Sequence, residues 1–240
     1  FSAEWWPNSQ GYTIDELDTQ TGKRLKTHYD SSTGNRLDVK PPGKRTRSRN
    51  LISADGSRKI EYRNGDLFVR NLTVGEEIQL TERPVGRDVS YRQAQWSFDG
   101  SYIAFIEADQ TKVRKRSMLV PSDPSYPGIR EQKFARVGEH IGSLRVGIVD
   151  REGSDLKWLP IETPSEGYYL GMVDWVENSN ELLVERLSRG RDKREFFLAS
   201  SDGKLKRIFS ESDPAWVVAS QGKNSGLVWI RDGKEFIVIS

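Results

Sequence analysis

Few residues in this sequence could act as a nucleophile, a general base or a metal ligand. The chain has no cysteine and two histidines, His28 and His140. A serine nucleophile on a strained strand-to-helix turn needs Gly-x-Ser-x-Gly, because the glycines make room for the turn. The nearest string, Gly-Lys-Asn-Ser-Gly at residues 222–226, has its serine one place off and no histidine after it. We therefore predict that the segment is not catalytic, that both histidines have surface or packing roles, and that no metal or cofactor is bound.

The charged residues are numerous but nearly balanced, with 37 Lys and Arg against 35 Asp and Glu and a formal net charge of +2. This balance does not favour nucleic acid or an anionic membrane as a partner. The basic run at residues 40–49 could be a nucleic-acid arm, but no aromatic residue interleaves to stack on bases. We interpret it as a solvated linker. No apolar stretch approaches 18 residues, so no membrane span is predicted.

The cysteine content and the first residue bear on the cellular compartment of the protein. A lack of cysteine fits a reducing cytosol and fits equally an exported protein that does without disulfides. The chain begins at Phe1 rather than at a methionine, so we expect a processed or excised piece. We favour export, to the periplasm or outside the cell.

Any functional side chain must be positioned by a short hairpin pattern that recurs along the chain. At residues 96–107 a tryptophan leads, an Asp-Gly turn follows, and a β-rich apolar run comes next. Asp-Gly supplies the positive φ of a tight turn, and aromatic and branched residues suit a half-buried strand. Related heads stand at Trp6, Ile52, Trp96, Trp175 and Trp229. When about 35 residues of insertion are subtracted from the long step, the period of ~40–50 residues is typical of β-propeller blades.

We therefore predict an all-β fold over residues 1–240, a β-propeller with four blades and the start of a fifth. The alternative is a chance recurrence of Asp-Gly turns in a β-sandwich. A propeller closes when its last blade meets its first, so we expect more chain after Ser240.

An insertion at residues 108–143 interrupts the third repeat. Loops of this length inside a regular repeat are usually functional or disordered. Its prolines and arginines show no strand period, so we expect it to leave the blade without joining a sheet. It would project into a cavity or towards a partner chain. The predicted contact residues are Tyr126, Arg130, Phe134 and Arg136.

Several of these features occur together in one known family. In order along the chain they are Trp-Ser-x-Asp-Gly, the insertion with Tyr-Pro, the strand Leu-Arg-Val-Gly-Ile-Val-Asp, Val-Asp-Trp and Asp-Pro-Ala-Trp-Val. This order of features resembles the N-terminal propeller of dipeptidyl peptidase IV, a family in the prolyl oligopeptidase superfamily. The bacterial branch is the most similar. The resemblance is strong over residues 51–240 and weak before them.

The resemblance implies an eight-bladed propeller that caps an α/β-hydrolase domain. In that family a Ser-Asp-His triad removes dipeptides from peptide N-termini and prefers proline in second place. The implied partners are a peptide substrate, the chain's own C-terminal hydrolase domain and a second copy in a homodimer. The propeller would gate and shape the substrate cavity.

One family feature is missing from the sequence. The family carries an acidic pair just before the third Trp-Ser-x-Asp-Gly, and two glutamates there bind the substrate's ammonium group. The corresponding stretch, residues 82–95, has no Glu-Glu and carries Arg83, Arg87 and Arg92 as candidate substrate-binding residues. Either acids from other blades replace the pair, or the requirement for a free N-terminus is lost. The alternative from another functional class is a stand-alone propeller that binds a protein or glycan.

Overall fold

The computed structural model describes residues 3–6, 10–18, 21–22, 24–38, 51–121, 125–176, 179–217, 227–230 and 234–238. Within these ranges the chain is all-β, with no helix. The strands are β1 (Ala3–Trp5), β2 (Gly11–Leu17), β3 (Arg24–Asp30), β4 (Arg36–Leu37), β5 (Arg58–Arg63), β6 (Asp66–Asn71), β7 (Glu77–Gln79), β8 (Val89–Trp96), β9 (Tyr102–Asp109), β10 (Lys115–Val120), β11 (Gly128–Lys133), β12 (Ser143–Asp150), β13 (Lys157–Trp158), β14 (Tyr168–Trp175), β15 (Leu182–Ser188), β16 (Lys193–Ala199), β17 (Leu205–Ser212), β18 (Leu227–Ile230) and β19 (Glu235–Val238).

The strands form antiparallel sheets that follow the order of the repeats, in two compact units. The unit of Phe1–Ser48 and Leu227–Ile239 holds the sheet β1-β2-β3-β4 and the pair β18-β19. The unit of Arg49–Gly226 holds the sheets β5-β6-β7, β8-β9-β12-β13 and β14-β15-β16-β17 and the pair β10-β11. Sequential strands that pair as a meander are the blades expected from the sequence.

Strand register fixes where each repeat begins. Trp96 pairs with Ile103, Trp175 with Leu182 and Trp229 with Phe236, so each of the three tryptophans is paired with the residue seven positions on. The predicted equivalence of these tryptophans is therefore confirmed. In the first repeat, however, the residue with this pairing is Trp5, opposite Tyr12, and the predicted head Trp6 was one position late.

The second repeat keeps the seven-residue register at its head, Ile52. Ile52 makes only an isolated bridge to Lys59, and the regular strand begins at Arg58 rather than at the head. The sheet has three strands. The residues that precede this sheet, 39–50, lie outside the described part of the chain.

A shared turn follows the heads of the repeats. After Trp96, the Ser97 hydroxyl donates to Asp99 (2.7 Å), Asp99 accepts from the Ser101 amide (2.9 Å), and Gly100 has a φ of 71°. Partial burial raises the pKa of Asp99, but these hydrogen bonds outweigh it and lower the pKa to about 2. The same hydrogen bonds recur around Asp55, and Asp202 occupies an equivalent turn between β16 and β17. Because these turns are formed by residues that are close together in the sequence, the repeat can be recognised from the sequence alone.

Two of the head tryptophans, Trp96 and Trp175, also tie their sheets to the preceding one. The Trp96 indole Nε1–H donates to the carbonyl of Leu51 (3.2 Å), the residue before the previous head. The Trp175 indole donates to the carbonyl of Gln95 (3.3 Å), again the residue before the previous head. Both rings are buried in the two cores that lie between the three sheets. We call this repeated contact the tryptophan latch.

The insertion does not behave as the sequence predicted. Strands β10 and β11 pair in full register from Lys115 opposite Lys133 to Val120 opposite Gly128, so the expectation that it joins no sheet was wrong. It does leave the blade, because this hairpin is a separate two-stranded sheet. The strand period was absent because most of its side chains are exposed on both faces, and no face required apolar residues.

Candidate functional site

The two ends of the sheets within residues 49–226 differ in chemistry. One end, here called the turn rim, comprises residues 97–101, 151–154, 179–181 and 200–204. The other end, the insertion rim, comprises residues 82–88, 110–121, 125–142, 163–167 and 189–192. The turn rim satisfies many polar groups within its own turns. Both rims carry ion pairs between distant segments, but the insertion rim also has the fully exposed side chains of Val85 and Val137. We therefore take the insertion rim as the candidate site.

The three predicted arginines lie at or beside this rim, but they are not equivalent. Arg83 faces Asp66, with 3.6 Å between its Nε and the carboxylate, and Arg87 forms an ion pair with Asp109. Arg92 lies in β8 with an exposed side chain, and it has no ion pair with any described residue. The positive charge that we predicted for this stretch is therefore largely neutralised at two of its three positions.

Sequence reasoning missed the contacts that hold the insertion to this stretch. The Lys133 ammonium lies 2.6 Å from the Asp88 carboxylate, and its side chain is only 17% exposed. The amide of Asp88 donates to the Thr111 hydroxyl (2.9 Å), while the Asp88 carbonyl accepts from the amide of Gln110 (2.8 Å). Both roots of the hairpin are thus tied to Asp88, the residue that leads into β8. We call this set of contacts the hairpin anchor.

A ladder of polar side chains crosses the sheet next to the anchor. Tyr91, Glu107 and Arg145 are direct cross-strand partners on β8, β9 and β12. Arg145 donates from Nε (2.9 Å) and Nη2 (2.7 Å) to one oxygen of Glu107, whose side chain is 9% exposed, and its guanidinium stacks 4.0 Å from the Trp158 ring centre. Burial raises the pKa of Tyr91, and the charge of Glu107 raises it further. The charge of Glu107 is thus balanced by that of Arg145 within the ladder.

The predicted contact residues of the insertion are spread along the hairpin and the segment that follows it. This segment, residues 134–142, is here called the return segment. Tyr126 is 84% exposed beyond the paired strands, and Arg130 on β11 is also exposed. Phe134 is 47% exposed, with the Arg116 guanidinium 5.8 Å from its ring centre. Arg136 lies past the hairpin, where its amide donates to Glu139 (3.0 Å). Phe134 thus contacts Arg116 and Arg136 contacts Glu139, at different points of the segment.

Groups suited to covalent or metal chemistry are not assembled in the described part of the chain. His28 shares a hydrogen bond with Thr13 (2.9 Å) and packs edge-on against Trp6, which agrees with the predicted packing role, while His140 is exposed. No group of three His, Asp or Glu residues there could hold a metal ion. None of the described segments is a helix long and apolar enough to cross a membrane. Ser225 lies outside the described residues.

Solved structures show the same fold. Over 96% of this chain and 35% of the other, it superposes on the crystal structure of Porphyromonas gingivalis dipeptidyl peptidase 4 with a TM-score of 0.65 and 16% sequence identity. Curated relatives include a protein described as "Probable dipeptidyl-aminopeptidase B" of Coccidioides posadasii, 26% identical over 52% of this chain and 16% of its own length. Another is "Inactive dipeptidyl peptidase 10" of Mus musculus, 26% identical over 60% of this chain and 18% of its own length.

These matches cover less than a fifth of the length of the two curated relatives. The family model described as the dipeptidyl peptidase IV N-terminal region matches residues 8–240, almost the whole chain. With the all-β repeats described above, this shows that the chain is a β-propeller segment and belongs to the dipeptidyl peptidase IV N-terminal region family.

Proposed function

We propose that this chain is the non-catalytic propeller segment of a dipeptidyl peptidase IV-like serine peptidase, and that its insertion rim faces the peptide-substrate cavity. The observation that carries the proposal is the family match over residues 8–240, which includes both the insertion and the arginine stretch. The propeller would gate and shape the cavity, while a hydrolase domain elsewhere in the protein supplies the triad. Hydrolysis of Xaa-Pro substrates by the complete gene product, and none by residues 1–240 alone, is the expected result. Turnover by the 240-residue chain would overturn the proposal.

The free amine of a substrate presents a more specific question. A buried ammonium group needs a fixed carboxylate, because an unpaired charge in a closed cavity costs several kcal/mol. Arg92, which keeps its charge unpaired, would repel such an amine. We propose that the enzyme does not require a free N-terminus. Matched substrates with a free and an acetylated amine should be cleaved at similar kcat/KM, and strong preference for the free amine would contradict this.

The hairpin supports a second part of the proposal, contact with another copy of the chain. Leu119 and Ile129 are direct cross-strand partners, 70% and 72% exposed. An isolated two-stranded ribbon is marginal in water, so covering these side chains would stabilise it. We expect Leu119→Arg to shift the complete protein from dimer to monomer in analytical ultracentrifugation. Val74→Arg, at a residue 64% exposed outside the hairpin, should not. A Leu119→Arg protein that stays dimeric would refute this contact.

A second candidate function is a propeller that binds a protein or glycan without hydrolysis. The relative named as an inactive dipeptidyl peptidase favours keeping this candidate. The two candidates differ in the remainder of the gene product. A Gly-x-Ser-x-Gly motif within about 350–450 residues after Ser240, followed by Asp and His, is expected for the peptidase. Its absence would favour the binding protein.

A further inference from the structure

Three arginines gather at a second place on the insertion rim, away from residues 82–88. The Arg189 guanidinium donates from Nη1 to the carbonyl of Glu166 (3.1 Å) and from Nη2 to the carbonyl of Arg136 (3.3 Å). Arg191 follows in the same turn, with its guanidinium 5.5 Å from the Tyr169 ring centre. These contacts bring the return segment of the insertion against the turn between β15 and β16. We call Arg136, Arg189 and Arg191 the arginine patch.

Arg189 and Arg191 form no ion pair within the described part of the chain, while the main-chain amide of Arg136 lowers the pKa of the Glu139 carboxyl and the charge of Arg136 helps to lower it. Neighbouring carboxylates are committed elsewhere. Glu139 accepts from Arg114 (2.8 Å) as well as from the Arg136 amide, and Asp192 accepts from the Ser188 hydroxyl (2.6 Å). The next cation, Lys193, already lies 3.2 Å from Glu195. The Arg189 and Arg191 guanidinium groups therefore keep their positive charge available to an anion at this rim.

Arg189 is also well positioned to bind an anion. A guanidinium presents five N–H donors in a rigid fork that matches a carboxylate, and the two main-chain carbonyls hold this fork in one orientation. The donors that remain are therefore ordered before a ligand arrives, which lowers the entropy cost of binding. Three arginines in a chain of net charge +2 suit one or two carboxylates better than a long polyanion.

We propose that the arginine patch binds the acidic side chains of a peptide. The proposal rests on the proposed function in one respect, that peptides reach this rim. It extends that function by naming a substrate or ligand class, peptides with Asp or Glu beyond their first residues. Binding is measured on the complete gene product after fluorophosphonate treatment, which blocks any activated serine and prevents turnover, so failure here is separable from failure of the peptidase assignment.

The test uses a fluorescent peptide with the sequence Ala-Pro-(Gly-Glu)4 and its counterpart Ala-Pro-(Gly-Gln)4. Fluorescence anisotropy at low salt should show binding of the first peptide and at least about tenfold weaker binding of the second. Arg189→Gln should weaken binding of the glutamate peptide by about tenfold. Arg189→Lys should also weaken it, because a lysine keeps the charge but loses the fork. Arg191→Asn is a second variant, since asparagine tolerates the φ of 59° at this position.

The control variant is Lys204→Gln, which removes one positive charge from a side chain 85% exposed on the turn rim. It should leave binding of the glutamate peptide within about twofold of the unaltered chain. Equal losses in Lys204→Gln and Arg189→Gln would overturn the proposal, because the attraction would then be unspecific. Equal binding of the two peptides would also overturn it. So would Arg189-dependent binding of phosphatidylserine vesicles without binding of the glutamate peptide, which would assign the patch to a lipid surface.

Discussion

The tryptophan latch offers a quantitative test of how the blades are held together. In Trp175→Phe the ring stays aromatic, but the donor to the Gln95 carbonyl is lost and part of a side chain that is 5% exposed is deleted. Leaving a buried carbonyl without its donor costs about 1–3 kcal/mol. The smaller ring adds a cavity cost of about 1 kcal/mol. We therefore expect the free energy of unfolding to fall by about 2–4 kcal/mol.

The assay is urea unfolding followed by far-UV circular dichroism, which reports mainly on the main chain rather than on the tryptophan removed. Trp216→Phe is the matched control, because Trp216 is 61% exposed and its loss should change the free energy by less than about 0.5 kcal/mol. Trp96→Phe should resemble Trp175→Phe, since its indole makes the equivalent bond to Leu51. If Trp175→Phe is no less stable than Trp216→Phe, the latch does not stabilise the packing of the sheets and the reasoning is refuted.

Three further predictions concern the sheet that carries the insertion. Gly147→Ala would place a methyl group 2.8 Å from the Phe105 ring, so the free energy of unfolding in urea should fall by about 1–3 kcal/mol, and an unchanged value would show that the ring moves freely. Burial raises the pKa of Asp109, but its hydrogen bonds outweigh this and lower it to about 2, below the unfolded value of about 3.9. Its stabilisation is thus present above pH ~4 and lost as the pH falls towards 2, and Asp109→Asn should flatten this acid limb in unfolding curves at several pH values; an unaltered limb would contradict it. Lys133→Met removes the ion pair to Asp88 and should speed hydrogen exchange in β10 and β11 but not in β15, while equal exchange would show that the hairpin anchor is dispensable.

The sequence predicted the fold well because its signals are local. Asp99 and Gly100 form their turn with residues a few positions away, and the apolar run after them is continuous, as in a strand buried on both faces. The hairpin of β10 and β11 was missed because it has no such local signal. Both of its faces are exposed, so its sequence shows no hydrophobic period, and only the main-chain pairing of the two strands reveals it.

The rim contacts could not be predicted from the sequence. Lys133 is one of 37 Lys and Arg residues, and nothing in its neighbours selects Asp88 as its partner over any other carboxylate. Arg189 is bound by main-chain carbonyls, which every residue possesses and which therefore leave no trace in composition. The positions of site side chains depend on such contacts. The resemblance alone therefore could not predict where the side chains of the three chosen arginines lie.

The assignment to a serine peptidase is tested most directly by active-site labelling of the complete gene product. A fluorophosphonate probe, followed by peptide mass mapping, locates any activated serine. The account predicts stoichiometric labelling of one serine outside residues 1–240, inside a Gly-x-Ser-x-Gly motif, and none within this chain. Labelling of a serine within residues 1–240, or no labelling of the complete protein, would contradict it.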